Sequence, residues 1–335
     1  MKKEMTMNTH INGTRPIRWI VVAVAIGLAG LLVAPALRAA SPTPAAQKSF
    51  DSPEKAVDAA VQAAAADDVP ALMAIFGPDG KDIISSGDAV QDDKGRNEFV
   101  KLAKEKTTIT KDPSNPHRAW VSVGPNAWPY PVPIDEKNGK WMFNSKEGRY
   151  EILLRHIGEN ELDAITVCRG FVEAQHDYAL ADPDKTGVHQ YAQRIISTPG
   201  KHDGLYWKSE PGQPESPIGE EVAKAIAEGY ARKDQPFHGY YFRVLTGQGP
   251  AAPLGQLDYV IKGHMIGGFA LVAWPAKYRV TGVKTFMVGY DGVVYEKDLG
   301  PDTAKVASAI KRYNPDKGWV VTEAEESDSG DGDDN

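Results

Sequence analysis

Cysteine occurs once in 335 residues, at Cys168, which excludes an intrachain disulfide and any metal or iron–sulfur centre built on several thiolates. Positive charge is also in deficit. Lys and Arg number 38 against 45 Asp and Glu, for a net charge of -7 and a pI near 5.7. This balance argues against a nucleic-acid binder, which needs a basic face. No G-x-S-x-G elbow, Walker-type phosphate loop or H-E-x-x-H motif occurs anywhere in it. The apolar run over residues 19–33 is shorter than the roughly 20 residues of a spanning helix. Hydrophobic residues at 41% and aromatics at 9% suffice for ordinary cores but not for a polytopic membrane protein.

What is present begins with an export signal over residues 1–40. Lys2, Lys3, Arg15 and Arg18 form a positive region, the apolar run follows, and Ala34-Pro35-Ala36 offers a small-residue cleavage site. Either this segment is cleaved, or residues 19–34 stay as a single anchor and give the only membrane contact. Both alternatives place the protein in the periplasm or another extracytoplasmic space. Residues 41–47 read as a linker, and 323–335, made almost wholly of Asp, Glu, Ser and Gly, as a disordered acidic tail.

Between them the pattern predicts an α+β fold in two domains, over 48–157 and 158–322. The first opens with helices. Asp51 or Ser52 caps one that carries Ala56, Val57, Ala60 and Val61 at helical spacing, Asp67-Asp68-Val69-Pro70 breaks and restarts it, and another is expected over 96–106. Strands follow, with an Asn138-Gly139 type I′ turn signal before Lys140-Trp141-Met142-Phe143. The second domain is predicted to open with a helix over 157–181, capped by Asn160 and stopped by Asp182-Pro183-Asp184. A further short helix is expected over 220–231. Aromatic and β-branched runs from Gly239 to Asp298, punctuated by Gly, Pro and Asp291-Gly292, predict an antiparallel meander, and a last helix runs over 302–312.

Three resemblances attach to these residues. Helices followed by a Trp-rich meander ending in Gly139-Lys140-Trp141-x-Phe143 resemble the cone-shaped folds of the nuclear-transport-factor-2-like class. Asn160-Glu161-x-x-Ala164-Ile165-x-x-x-Arg169, with Gly239-Tyr240-x-Phe242 and Asp291-Gly292-x-Val294, resembles the globular domain of type IV pilins and pseudopilins, although a soluble domain stands where a pilin has its membrane half. Trp128-Pro129-Tyr130-Pro131, Arg155-x-Ile157-Gly158-x-Asn160-Glu161, Asp203-Gly204-Leu205-Tyr206-Trp207 and Asp298-Leu299-Gly300 resemble the bacterial exported family known as domain of unknown function 2950. That family implies no activity. The pilin likeness implies a partner in an envelope or secretion assembly.

Candidate chemistry is sparse. Asp182-x-Asp184-x-Thr186-Gly187 copies the first half of a calcium loop, with Asp182 and Asp184 as ligands, but Gln193 stands where a bidentate Glu belongs. The alternative is a plain Asp-Pro turn, and no other cofactor is suggested. Ser52-x-x-Lys55 with Lys185-Thr186-Gly187 matches two parts of a penicilloyl-serine site, but the middle Ser-Asp-Asn element is missing and Ser52 suits a helix cap. His176, His189 and His202 fall in one region, and His202 beside Asp203 offers an acid–base pair. Trp120, Trp128, Tyr130, Trp141 and Phe143 line a pocket or fill a core. Tyr206 and Trp207 form an exposed binding surface or pack back onto the sheet. These features predict an exported, non-catalytic module that binds a partner protein or assembly. The alternative is a small-molecule binder or hydrolase that uses the first domain.

Overall fold

The computed structural model describes residues 46–85, 89–209, 215–219 and 236–322. The expected signal, the helix over 220–231 and the acidic tail lie outside the described residues. The chain divides into two compact units, Met1–Ile152 and Leu153–Asn335. The fold is α+β, built from helices and several mostly antiparallel sheets.

The first unit starts with α1 (Pro53–Ala65), α2 (Val69–Phe76), α3 (Lys81–Ile84) and α4 (Ala89–Glu105). Two of these starts follow directly from capping chemistry. The Ser52 hydroxyl accepts from the Lys55 amide at 3.3 Å, and Asp68 accepts from the Ala71 amide at 2.9 Å. Helix α4 begins earlier than the residue-96 start expected from the pattern. Gln47, expected in a linker, belongs to this unit: its Nε2 donates to the carbonyls of Ile75 and Phe143 at 2.9 and 2.8 Å.

The strands are β1 (Thr107–Asp112), β2 (Asn115–Val123), β3 (Trp128–Pro129), β4 (Ile134–Lys137) and β5 (Lys140–Phe143). They form one antiparallel sheet in the order β1-β2-β4-β5, with β3 also on β2. Asn138 and Gly139 take φ of 55° and 72°, both left-handed as a type I′ turn requires, and Lys137 pairs with Lys140 across it. Val121, Ile134 and Phe143 from the sheet meet Ala56, Ala60, Leu72 and Ile75 from the helices in one buried cluster.

Helix α5 (Ser145–Ala181) is far longer than the expected 157–181. Its cap is Asn144, whose Oδ1 accepts from the Glu147 amide at 3.1 Å. Asn160, expected as that cap, lies inside the helix and is only 5% exposed. Its Nδ2 donates to the Thr281 carbonyl at 2.9 Å, while Oε1 of Glu161 accepts from the amides of Val283 and Lys284 at 2.7 and 3.0 Å. The Asn-Glu pair thus ties the helix to the loop over 281–284.

In the second unit β6 (Arg194–Ile196) and β7 (Gly204–Tyr206) pair in parallel. Then come β8 (Tyr240–Leu245), the short strands β9 (Gly247–Gln248), β10 (Leu257–Asp258), β11 (Val260–Ile261) and β12 (His264–Met265), and the longer β13 (Ala270–Pro275), β14 (Lys284–Gly289) and β15 (Val294–Asp298). Helix α6 (Thr303–Ala309) and β16 (Val320–Val321) close the unit. The main sheet has the order β16-β15-β14-β13-β8, every neighbour antiparallel. Residues 270–273 of β13 are all buried, as befits a central strand covered on both faces. Ala164, Ile165, Cys168, Phe171 and Val172 give α5 its apolar stripe and join the same core as Phe242, Leu271 and Phe286 of the sheet. Among the described residues no helix is long and apolar enough to cross a membrane.

Candidate functional site

Most residues with chemical promise in the sequence converge where α5 ends. The helix stops because Asp182 turns left-handed, with φ 39°, and Pro183 has no amide hydrogen to continue it. Oδ1 of Asp182 then accepts from the amide and hydroxyl of Thr186, both at 2.9 Å, and Oδ2 accepts from the Gly187 amide at 2.7 Å. The Thr186 and Gly187 amides hold this carboxyl below the usual carboxylate range. Both of its oxygens face hydrogen-bond donors, an arrangement suited to an anion.

Asp184 does not join Asp182 in this turn. Its Oδ1 meets Nδ1 of His202 at 2.9 Å, 18 residues along the chain. The His202 ring lies 4.7 Å from the Trp207 ring, and Trp207 is itself 6.2 Å from Tyr178 in an edge-to-face contact. Trp207 is 6% exposed, so it packs inward as part of the core, while Tyr206 on β7 is half-buried. The Tyr178 hydroxyl donates to the His202 carbonyl, and burial together with Asp184, Asp203 and Asp182 pushes its pKa up to about 12.

The sequence neighbours His202 and Asp203 are not the pair. Asp203 turns to Thr198, accepting from its amide at 2.6 Å and its hydroxyl at 2.8 Å, with Arg194 Nε at 3.5 Å. Burial works to raise its pKa, but these donors outweigh it and hold the carboxyl below its ordinary value. The other histidines have separate roles. His189 donates from Nδ1 to the Ala179 carbonyl at 2.7 Å, and His176 lies 5.5 Å from the Phe269 ring. Among the described residues no three His, Cys, Asp or Glu side chains group so as to hold a metal ion. Burial pushes the Cys168 thiol up to about 12, so it is protonated at neutral pH. Ser52 is occupied as the cap of α1, and Lys185 sits left-handed in the turn after α5.

The aromatic residues of the first unit are largely core. Tyr130, Trp141 and Phe143 are buried, with Phe76 against Phe143 at 4.6 Å and Phe99 against Tyr130 at 5.0 Å; Trp120 is exposed. A cavity of about 30 Å³ remains between Leu72, Phe76, Ile84, Arg96, Phe99 and Tyr130. That is space for about one water molecule, against the roughly 300–1,000 Å³ of small-molecule sites.

The strongest polar constellation in this unit had no motif to announce it. The Arg118 guanidinium is gripped by Asp135, at 2.8 and 3.1 Å, and by Glu147, at 2.6 and 2.7 Å. Asn144 completes the cluster, donating to Asp135 at 2.7 Å. Asp135 first, then Glu147, hold Arg118 protonated far beyond its ordinary range. With two bidentate partners, Arg118 has little capacity left for a ligand.

The helices and mostly antiparallel sheets place the chain among α+β proteins. Residues 47–322 match the family described as protein of unknown function (DUF2950), and the chain belongs to that family. No curated protein and no solved structure matches the chain.

The Asp182 turn makes a direct prediction. Asp182→Ala should lower the melting temperature at pH 7, because three donors lose their acceptor. A carboxyl whose folded pKa is depressed stabilises above its unfolded value, about 4, and that contribution is lost as pH falls through the lower folded value. The gap between parent and variant should therefore close as the pH drops below about 4. The plain-turn alternative expects millimolar calcium to leave the parent's melting temperature unchanged; a rise that Asp182→Ala abolishes would support the calcium reading. Differential scanning fluorimetry across pH and calcium concentration checks both.

Proposed function

We propose that the protein is an exported, non-catalytic module that binds a partner protein or assembly in the bacterial envelope. The observation that carries this reading is the filled first unit. A cavity of about 30 Å³ with Arg96 and Tyr130 at its wall offers no His, Asp or Glu to a reacting group and no room for a metabolite. The candidate residues of the second unit support the same reading, since Asp182, Asp184 and Asp203 are each engaged in holding a turn or loop. The resemblance of the Asn160-Glu161-x-x-Ala164-Ile165 and Gly239-Tyr240-x-Phe242 motifs to those of pilins supports an assembly partner, and the charged, apolar-cored residues 1–40 support export. Chemical cross-linking in living cells, followed by affinity recovery of the full chain and mass spectrometry, tests the reading. Reproducible capture of the same envelope protein is the expected result. Recovery of the chain alone, together with a thermal shift caused by a small molecule, would favour the alternative of a ligand site.

A further inference from the structure

The sheet of the first unit has one covered edge and one edge that is unpaired among the described residues. Beyond β5, Phe50 and Trp141 exchange both backbone hydrogen bonds at 2.8 Å, so that side is occupied. Beyond β1 no described strand pairs. Strand β1 reads Thr107-Thr108-Ile109-Thr110-Lys111-Asp112, and most of it is exposed. Its first four residues carry no charge and no proline, the devices that ordinarily keep an edge from pairing. The only irregularity is a register shift at its far end, between Lys111 and Asp112.

We propose that β1 is a self-association edge, and that two copies of this chain join antiparallel through it to make one continuous sheet. The proposal rests on the strand alone and is independent of the envelope-partner reading. Two arguments select a second copy as the occupant. First, a twofold axis pairs a strand with itself only in registers that match residues of the same parity, because outward-facing backbone groups must meet outward-facing ones. Of these registers, the one with Ile109 on the axis pairs Thr107 with Lys111 and Thr108 with Thr110, and so uses the whole regular stretch. Second, that same register brings Lys106 of one copy to the end of the strand carrying Asp112 of the other, twice over. The charges at the two ends of β1 are thus complementary under the operation that pairs it with itself. Ile109 gains most. It pairs with Val121 on the core face of the sheet yet is only half-buried, and in the dimer it meets its own counterpart.

Two strands of this length bury less than the roughly 1,000 Å² of a lasting interface, so the dimer should dissociate on dilution. Sedimentation velocity of the full chain, as cells process it, over a wide concentration range is the test. The expected result is a reversible monomer–dimer equilibrium that Lys106→Glu weakens about tenfold, since two attractive pairs become repulsive. Lys106→Asp combined with Asp112→Lys should restore the parent's affinity. Asp112 also accepts from the Ser114 amide at 2.8 Å, so the double variant carries a folding risk. Hydrogen exchange of the parent's residues 107–111 supplies a second readout, and their amides should exchange more slowly as protein concentration rises. A parent that stays monomeric throughout, with exchange indifferent to concentration, overturns the proposal and leaves the edge to an extended segment of another protein. A dimer insensitive to Lys106→Glu overturns it too.

Discussion

Replacing Phe286 by Ala is expected to cost about 4 kcal/mol, the largest effect of any single change considered, and to lower the melting temperature by roughly 10 °C. Phe286 is fully buried on β14, the middle strand of the order β16-β15-β14-β13-β8. Its register partners are Ala273 on β13 and Glu296 on β15, and Ala273 pairs in turn with Phe242 on β8. The ring lies 5.8 Å from that of Tyr240, whose hydroxyl donates to the Lys284 carbonyl at 2.8 Å. Ala273 is too small to fill the space left by a deleted ring, and Tyr240 is held by its hydrogen bond. A cavity should therefore persist, and the cavity adds to the lost transfer energy. Denaturant unfolding gives the free-energy change, and hydrogen exchange locates it. Faster exchange should be greatest in strands β8, β13 and β14. A loss below about 1 kcal/mol would mean that the sheet collapses around the site, contrary to the packing described.

The second large effect belongs to Arg118. Its guanidinium is 18% exposed, with Asp135 and Glu147 at 32% and 38%. Arg118→Ala removes the one cation and leaves two carboxylates close together with Asn144 as their remaining neighbour. A fully buried pair broken this way costs 3–5 kcal/mol, while an exposed pair costs less than about 1 kcal/mol. The partial exposure here places the expected loss at about 2 kcal/mol. Arg118→Lys should recover only part of it, because an ammonium cannot present two parallel N–H pairs to two carboxylates. Unfolding free energies of the three proteins, measured at low and high salt, check this. Equal stabilities for the Arg, Lys and Ala forms would show that the cluster contributes nothing.

What the sequence revealed, and what it hid, follows from the range of the interactions. Local chemistry was legible. Ser52, one of the two expected caps, starts α1, the helix breaks at the expected Asp67-Asp68-Val69-Pro70, Asn138-Gly139 makes its left-handed turn, and Asp182-Pro183 stops α5. The antiparallel run β13-β14-β15 was legible because these strands carry aromatic and β-branched residues between Gly and Pro punctuation, whereas β8 pairs directly with β13 and the separate ladders β9-β10 and β11-β12 interrupt the expected meander. Helix α5 starts before the expected residue 157, at the cap-x-x-Glu signal Asn144-Ser145-Lys146-Glu147, and carries Gly148 and Gly158 inside it. Asn160 bonds not to its own helix end, as the local pattern suggests, but to Thr281, 121 residues away. The Arg118 cluster, the Asp184–His202 pair and the parallel pairing of β6 with β7 depend on contacts that no local spacing encodes. Proximity in sequence even favoured the wrong partner for His202, since Asp203 is adjacent and yet turned toward Thr198.

Binding of a partner protein is best tested by placing a photo-reactive amino acid at single positions in living cells. Tyr206 is the first position, because it is the candidate binding residue that stays half-buried on β7 while Trp207 packs inward. Phe286, fully buried, is the control. A reproducible adduct with one envelope protein is expected from Tyr206 or from exposed positions, and none from Phe286. Adducts with no protein from any surface position, alongside a small molecule that stabilises the full chain, would contradict partner binding.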